Sequence, residues 1–149
     1  MPKASIKRLI ECKKKNLINL VLDIEKYPEF IPFCYNAKIY KNENKEDFKI
    51  IIADLSIGKG PFKDTYRSDV KFNKKDNSIY VKNIDGPLNH LTNIWNFKEI
   101  NNMTEVTFDI DFEIKNKFLN TIMSASFQFG LEKIADSFQK RAEDLFKES

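Results

Sequence analysis

Residues 105–146 read EVTFDIDFEIKNKFLNTIMSASFQFGLEKIADSFQKRAEDLF, and their hydrophobic period changes once, near residue 116. Over 105–115 apolar and polar side chains alternate, which is typical of an antiparallel strand with one face in water. From about 116 onward apolar residues recur every three or four positions. This spacing predicts one helix of roughly 30 residues, about 45 Å long, which is enough to cross a whole domain.

Upstream of this stretch the chain has two short helical regions and a long series of strands. A strand is predicted over 4–12, a short amphipathic helix over 16–24, and successive strands from about 35 to 115. Pro28 disfavours helical geometry in the residues before it, but it fits the first turn of a second short helix. Two helical pieces should therefore meet at a corner bounded by proline.

This order of elements predicts the fold class. We expect an α+β protein in which a curved antiparallel sheet wraps around the long C-terminal helix, with two short helices after the first strand. No repeat, linker or low-complexity segment divides the sequence, so a single domain covering 1–149 is expected.

The composition is unusual in its aromatic content. The 149 residues include 13 Phe, 5 Tyr and 1 Trp but only 4 Gly, within a hydrophobic share of 42% and a charged share of 32%. These shares exclude a disordered, collagen-like or disulfide-scaffold protein. So many rigid side chains must either fill a bulky core or line a cavity for an apolar guest.

Residue types that carry catalysis are scarce. His90 has no second histidine or nearby cysteine to complete a metal site, and Cys12 and Cys34 lack the spacing of a redox or zinc motif. The segment Gly58–Gly60 lacks the third glycine of a dinucleotide loop, and no serine has the context of an acyl-transfer nucleophile. We therefore expect a non-enzymatic binding protein with no catalytic or metal-ligating residues and no required cofactor.

Basic residues are concentrated near the N-terminus. Residues 1–15 carry six bases and one acid, Glu11, for a local charge of +5. Such an edge is most simply a solvated face, but it could also meet an anionic membrane or ribosomal RNA. The six basic residues are Lys3, Lys7, Arg8, Lys13, Lys14 and Lys15. The segment lacks the features of a secretory signal, so the expected compartment is the cytoplasm.

Four segments together resemble one known family. They are 21–33 (VLDIEKYPEFIPF), 85–98 (DGPLNHLTNIWNFK), 105–118 (EVTFDIDFEIKNKF) and 137–146 (SFQKRAEDLF). They are similar, in order and over essentially the whole chain, to START-like coenzyme Q-binding proteins of mitochondria. The bacterial relatives of those proteins are known as ribosome-association toxins (RatA) or as polyketide cyclase/dehydrase (SRPBCC) proteins. The resemblance implies a helix-grip fold with a hydrophobic cavity between sheet and terminal helix.

The same resemblance turns the aromatic residues into candidates for the lining of that cavity. Without it, aromatics at strand and helix spacing would be read as ordinary core. Tyr66, Arg67 and Asn96 are candidates for hydrogen bonds to the carbonyl groups of a quinone. The predicted lining consists of Tyr27, Phe30, Phe33, Tyr66, Trp95, Phe97, Phe112, Met123, Phe127 and Leu131.

Two functions follow from the resemblance. The first is a binder of ubiquinone or another isoprenoid lipid that supports respiratory electron transport. This protein would be cytoplasmic or peripheral at the inner membrane, and the basic edge and the apolar helix start at 118–131 would contact the membrane. The alternative is a ribosome-association toxin that binds the large ribosomal subunit and blocks subunit joining. No DNA partner is expected, and no acid–base pair supports a cyclase or dehydratase.

Overall fold

The structure, a computed structural model, describes residues 3–59 and 62–146, apart from the side chains of Lys59, Phe62, Leu119 and 122–126. Its elements follow the predicted order, with a 3₁₀ helix at Ile24–Glu29 between the first helix and the second strand. The others are β1 Lys3–Ile10, α1 Lys14–Leu22, β2 Cys34–Asn44, β3 Phe48–Lys59, β4 Phe62–Asn73, β5 Ser78–Asp85, β6 Leu88–Ile100, β7 Met103–Ile114 and α2 Lys117–Phe146.

The described strands form one antiparallel sheet in the order β1-β7-β6-β5-β4-β3-β2. Strands β2 to β7 are joined to their neighbours along the chain, whereas β1 pairs with β7, so that Ile6 lies opposite Phe108. The segment α1 and the 3₁₀ helix carry the chain from the β1 edge to the β2 edge. This is the predicted α+β helix-grip architecture, which is confirmed.

The sheet has an apolar inner face that packs against α2 and a polar outer face. In β7, Val106 and Phe112 are buried, while the acidic residues between them point outward. Ile6 and Ile10 in β1 and Ile79 in β5 are buried on the same inner face. Burial of each such side chain contributes about 1.5–3 kcal/mol, so the alternation in the sequence determines which face meets the helix.

The prediction for the proline-bounded corner was wrong in detail. Pro28 does not open a new helix but lies near the end of the 3₁₀ helix. In that helix Lys26 N–H bonds the carbonyl of Asp23, and Phe30 N–H bonds that of Tyr27. These bonds lie on either side of Pro28 and need no N–H from it, so a short 3₁₀ turn accommodates the ring.

The C-terminal half of α2 is bound tightly to the rest of the protein. Arg8 of β1 forms an ion pair of 2.6 Å with Asp136, and Arg141 reaches Glu29 at 2.8 Å. The backbone N–H of Glu11 donates to Glu143 at 3.1 Å. In contrast, Phe118 and Phe129 in the first half are 70% and 63% exposed. Among the described residues no helix has the length and apolar character needed to cross a membrane.

Candidate functional site

An aromatic cluster joins α2 to the sheet and to the 3₁₀ helix. Its centre is Phe138, whose ring lies 5.4 Å from that of Tyr27, 5.4 Å from Phe30 and 5.2 Å from Trp95, edge to face in each case. Such pairs are stabilising beyond the area they bury. Phe138 comes from the helical stripe, Trp95 from β6 and the other two rings from the corner, so the cluster fixes three separate elements together.

Trp95 extends this cluster along the inner face of the sheet. Its ring stacks on Phe97 at 6.3 Å and meets Phe108 of the neighbouring strand at 4.5 Å. Farther along β7, Phe112 contacts Phe127 of α2 at 4.7 Å. Aromatic rings from β6, β7 and α2 therefore meet along the inner face, among aliphatic side chains of the core.

A cavity of about 40 Å³ lies beside Trp95, between β1, β7 and α2. Pockets for small organic ligands measure about 300–1,000 Å³. In this structure the cavity is therefore far smaller than a quinone with its tail, and a guest of that size requires the helix and sheet to separate. The side chains on the helix side of the cavity are Leu131, Ile134, Ala135 and Phe138.

The structure places the predicted lining residues in three environments. Phe97, Phe112 and Leu131 are buried, and Phe33 is 43% exposed. The half-buried members are Tyr27, Phe30, Tyr66, Trp95 and Phe127. The side chain of Met123 lies outside the described residues. Trp95 and Leu131 border the cavity, and so does Phe138, which shares the helical stripe of Leu131 and could have been predicted from it.

Two tyrosines bring hydroxyl groups to the interior. Tyr27 donates a hydrogen bond to the backbone carbonyl of Val21, which anchors the corner to the end of α1. Burial raises the pKa of Tyr27 strongly and that of Tyr66 to about 12. Both phenols therefore stay protonated near neutral pH and can act as neutral hydrogen-bond donors.

The other candidates for polar contact with a ligand face away from the interior. Arg67 lies on the outer face, where its guanidinium holds Asp54 through two hydrogen bonds of 2.8 and 3.3 Å. That pairing lowers the pKa of Asp54. Asn96 is exposed on the strand that carries Trp95. Of the three polar candidates, Tyr66 is the one on the inner face.

The cysteines and the histidine show no catalytic arrangement. Burial raises the pKa of the Cys12 thiol to about 11 and also raises that of Cys34, so neither is a ready thiolate. His90 lies 3.0 Å from Asp111 on the outer face, and that contact lowers the pKa of Asp111. Within the described ranges no cluster of His, Cys, Asp or Glu could hold a metal ion.

The N-terminal basic residues do not share one environment. Lys3, Lys7, Lys13 and Lys15 are exposed and Lys14 is half-buried. Arg8 is set apart because it faces α2 and pairs with Asp136. Lys3 lies 3.8 Å from the carboxylate of Asp111. The exposed members of the basic edge are therefore lysines, whereas Arg8 is bound to α2.

Phe33 and Gly86 occupy special backbone conformations near the ends of the strands. Phe33 has φ of +69°, a left-handed geometry that is unusual for a bulky residue, and its carbonyl accepts a hydrogen bond of 2.8 Å from Gly58 N–H. Gly86 has φ of +134° in the β5–β6 turn and packs directly onto the backbone of Tyr66. The turn thus lies against a residue of the inner face.

The family described as "Polyketide cyclase / dehydrase and lipid transport" matches residues 16–139. The chain belongs to this family. Among its relatives is a ribosome association toxin RatA from Rickettsia prowazekii, 32% identical over 143 residues, which are 94% of this chain and 95% of that protein. A mitochondrial coenzyme Q-binding protein COQ10 from Dictyostelium discoideum is 34% identical over 135 residues, 88% of this chain and 64% of that protein.

Solved structures that superpose on this chain confirm the helix-grip fold. An 18 kDa protein from Caulobacter crescentus superposes with a TM-score of 0.80 over 97% of this chain and 98% of its own, at 24% identity. An aromatase/cyclase from a Streptomyces species also superposes, with a TM-score of 0.73 over 95% of this chain and 93% of its own, at 11% identity. Because enzymes share this fold, the expectation of a non-enzymatic role stays a prediction.

Proposed function

We propose that this protein binds an isoprenoid lipid of the ubiquinone type, without catalysis, between the inner face of the sheet and α2. The aromatic surface around Trp95 and Phe138 is the observation that carries the proposal. The similarity to a protein named for binding coenzyme Q supports the choice of ligand. A polyprenyl tail gains roughly 25 cal/mol per Å² of buried area, and a quinone ring can stack on an aromatic face.

The asymmetry of α2 suggests how such a guest is admitted. The ion pairs and hydrogen bonds from Asp136, Arg141 and Glu143 hold the second half of the helix against β1 and the 3₁₀ helix. The first half displays Phe118 and Phe129 to solvent. In this proposal the first half moves, and its exposed rings contact the cytoplasmic face of the inner membrane.

The single tryptophan provides a direct test of the proposal. Because Trp95 borders the cavity, a quinone bound there should quench its fluorescence in a saturable manner. We expect titration with decylubiquinone to reach a plateau at one equivalent, and lipid extracted from protein purified from a quinone-containing host to contain quinone. Quenching that rises linearly without a plateau, together with an extract free of quinone and other lipids, would contradict the proposal.

A second candidate function, association with the large ribosomal subunit, is favoured by the outer face. On β2 the exposed ring of Tyr40 lies 5.0 Å from the Lys38 ammonium and 4.4 Å from the Arg67 guanidinium. Lys63 lies 5.2 Å from the ring of Tyr35. Alternating aromatic rings and cations suit RNA, because bases stack on the rings while the cations neutralise phosphates. The similarity to a protein named RatA supports this candidate.

Two variants separate the candidates. Trp95→Leu changes the inner face and should weaken decylubiquinone binding at least tenfold, leaving ribosome binding unchanged. Tyr40→Ala changes the outer face and should leave quinone binding unchanged while weakening co-sedimentation with large subunits. That co-sedimentation should also fall steeply between about 50 and about 200 mM salt. Wild-type protein that never sediments with large subunits at low salt would exclude the second candidate.

A further inference from the structure

Ser68 is a buried hydroxyl group that the fold does not use. It lies on the inner face of β4 and is 0% exposed, yet its Oγ has no hydrogen-bond partner within the described part of the chain. A buried hydroxyl without a partner loses its bonds to water and gains nothing in return. Native proteins contain few such groups, and each requires an explanation.

The neighbouring polar groups do not supply that partner. Asn83 lies opposite Ser68 in the register of β4 and β5. Its amide is directed toward β6, since Oδ1 accepts from Leu91 N–H at 2.6 Å and Nδ2 donates to the carbonyl of Leu88 at 3.5 Å, and neither atom bonds Ser68 Oγ. Tyr66 shares the inner face two residues away, and its phenol is close enough to the Ser68 hydroxyl for the two groups to interact, although Ser68 Oγ has no partner in hydrogen-bonding geometry.

Small apolar side chains lie beside Ser68 on β3 and β4. Ala53 lies directly beside it on β3 and is 0% exposed, and Val70 follows on the same face with 5% exposure. Ser68 and Tyr66 thus place two hydroxyl groups on a mainly hydrophobic wall, beside the amide of Asn83. A few polar groups on an apolar surface are what orient a ligand in a binding pocket.

We propose that Ser68, together with Tyr66, forms the subsite that binds a carbonyl oxygen of the apolar ligand. This inference rests on the proposed function and adds the ligand's polar class and its position. The two hydroxyl groups donate to the carbonyl, while the hydrocarbon tail extends along the aromatic surface toward Trp95. The subsite therefore selects a quinone or another ketone-bearing lipid over a plain hydrocarbon.

The test compares Ser68→Ala with Ser56→Ala, using decylubiquinone and decylbenzene as probes. Ser56 is the matched control because it is also buried, 7% exposed, but its hydroxyl is 2.8 Å from that of Thr65 on the outer face. Affinities come from displacement of the dye 1-anilinonaphthalene-8-sulfonate, and stabilities from thermal unfolding of the unliganded protein. Ser68→Ala should bind decylubiquinone about 3–10-fold more weakly and decylbenzene as well as wild type does.

The stabilities of the two variants should change in opposite directions. Ser68→Ala removes an unpaired buried hydroxyl and should raise the Tm of the unliganded protein by about 2–4 °C, whereas Ser56→Ala breaks an existing hydrogen bond and should lower it. A Tm of Ser68→Ala below that of wild type, or an equal loss of affinity for both probes, would overturn the subsite. Wild-type protein that binds neither probe would overturn the proposed function itself, and equal binding of decylubiquinone to wild type and Ser68→Ala would overturn the subsite alone.

Discussion

Gly86→Ala should destabilise the fold by about 3 kcal/mol, lowering the Tm by roughly 6–12 °C. A Cβ at this position would lie 2.7 Å from Tyr66 Cβ and 2.8 Å from its Cα. Backbone atoms of a central strand cannot move aside as a flexible side chain could. The φ of +134° adds strain of its own, since only glycine adopts it readily.

The matched control for this variant is Gly130→Ala in α2. A Cβ at Gly130 would meet nothing within 4 Å. Because alanine favours helix over glycine by about 1 kcal/mol, this variant should be slightly more stable than wild type. Denaturant titration followed by circular dichroism measures both. If the two alanine variants have equal stabilities, the close packing of the β5–β6 turn on Tyr66 is wrong.

Phe138→Ala should cost about 4 kcal/mol of unfolding free energy. The side chain is 5% exposed and contacts three aromatic rings from two other parts of the chain. Its removal leaves a void that those rings cannot fill without leaving their rotamers. We also expect the fluorescence maximum of Trp95 to move to longer wavelength, because the ring of Phe138 lies 5.2 Å away and shields it from water.

Phe129→Ala is the control on the same helix. Its ring is 63% exposed and contacts the Lys133 ammonium at 4.7 Å. The cost should be below about 1 kcal/mol, with no change in Trp95 emission. Urea unfolding gives the free energy of unfolding of both variants. If these values differ by less than about 1 kcal/mol, α2 is held mainly by its ion pairs rather than by the aromatic cluster.

The fold followed closely from periodicity. The alternation over 105–115 and the helical stripe after it place Val106, Phe112 and Phe138 on the surfaces that meet in the structure. The hydrophobic period of a strand or helix identifies its apolar face. Because burial of that face contributes most of the folding free energy, the architecture was predictable. The 3₁₀ helix around Pro28 was not, because local propensity alone does not show that packing of Tyr27 and Phe30 on Phe138 holds the corner.

The candidate site was less predictable than the fold. Sequence grouped Arg8 with the exposed lysines, since charge patterns do not reveal that its strand position faces Asp136 of α2. Ser68 lacks the sequence context of a nucleophile, and its significance lies instead in the hydrogen-bond partner that it lacks in the structure. Both depend on contacts between residues distant in sequence. Period and composition contain no information about such contacts.

The pairing of β1 with β7 has a consequence for how the chain is made. Lys3 lies opposite Asp111, so the first strand leaves the ribosome roughly one hundred residues before its partner exists. Long-range pairings of this kind form late and slow the folding of β-rich proteins. Until then β1 is an unprotected strand, and charged residues along such an edge discourage pairing with other chains. We therefore expect the positive charges of Lys3, Lys7 and Arg8 to disfavour pairing of β1 with other nascent chains during that interval.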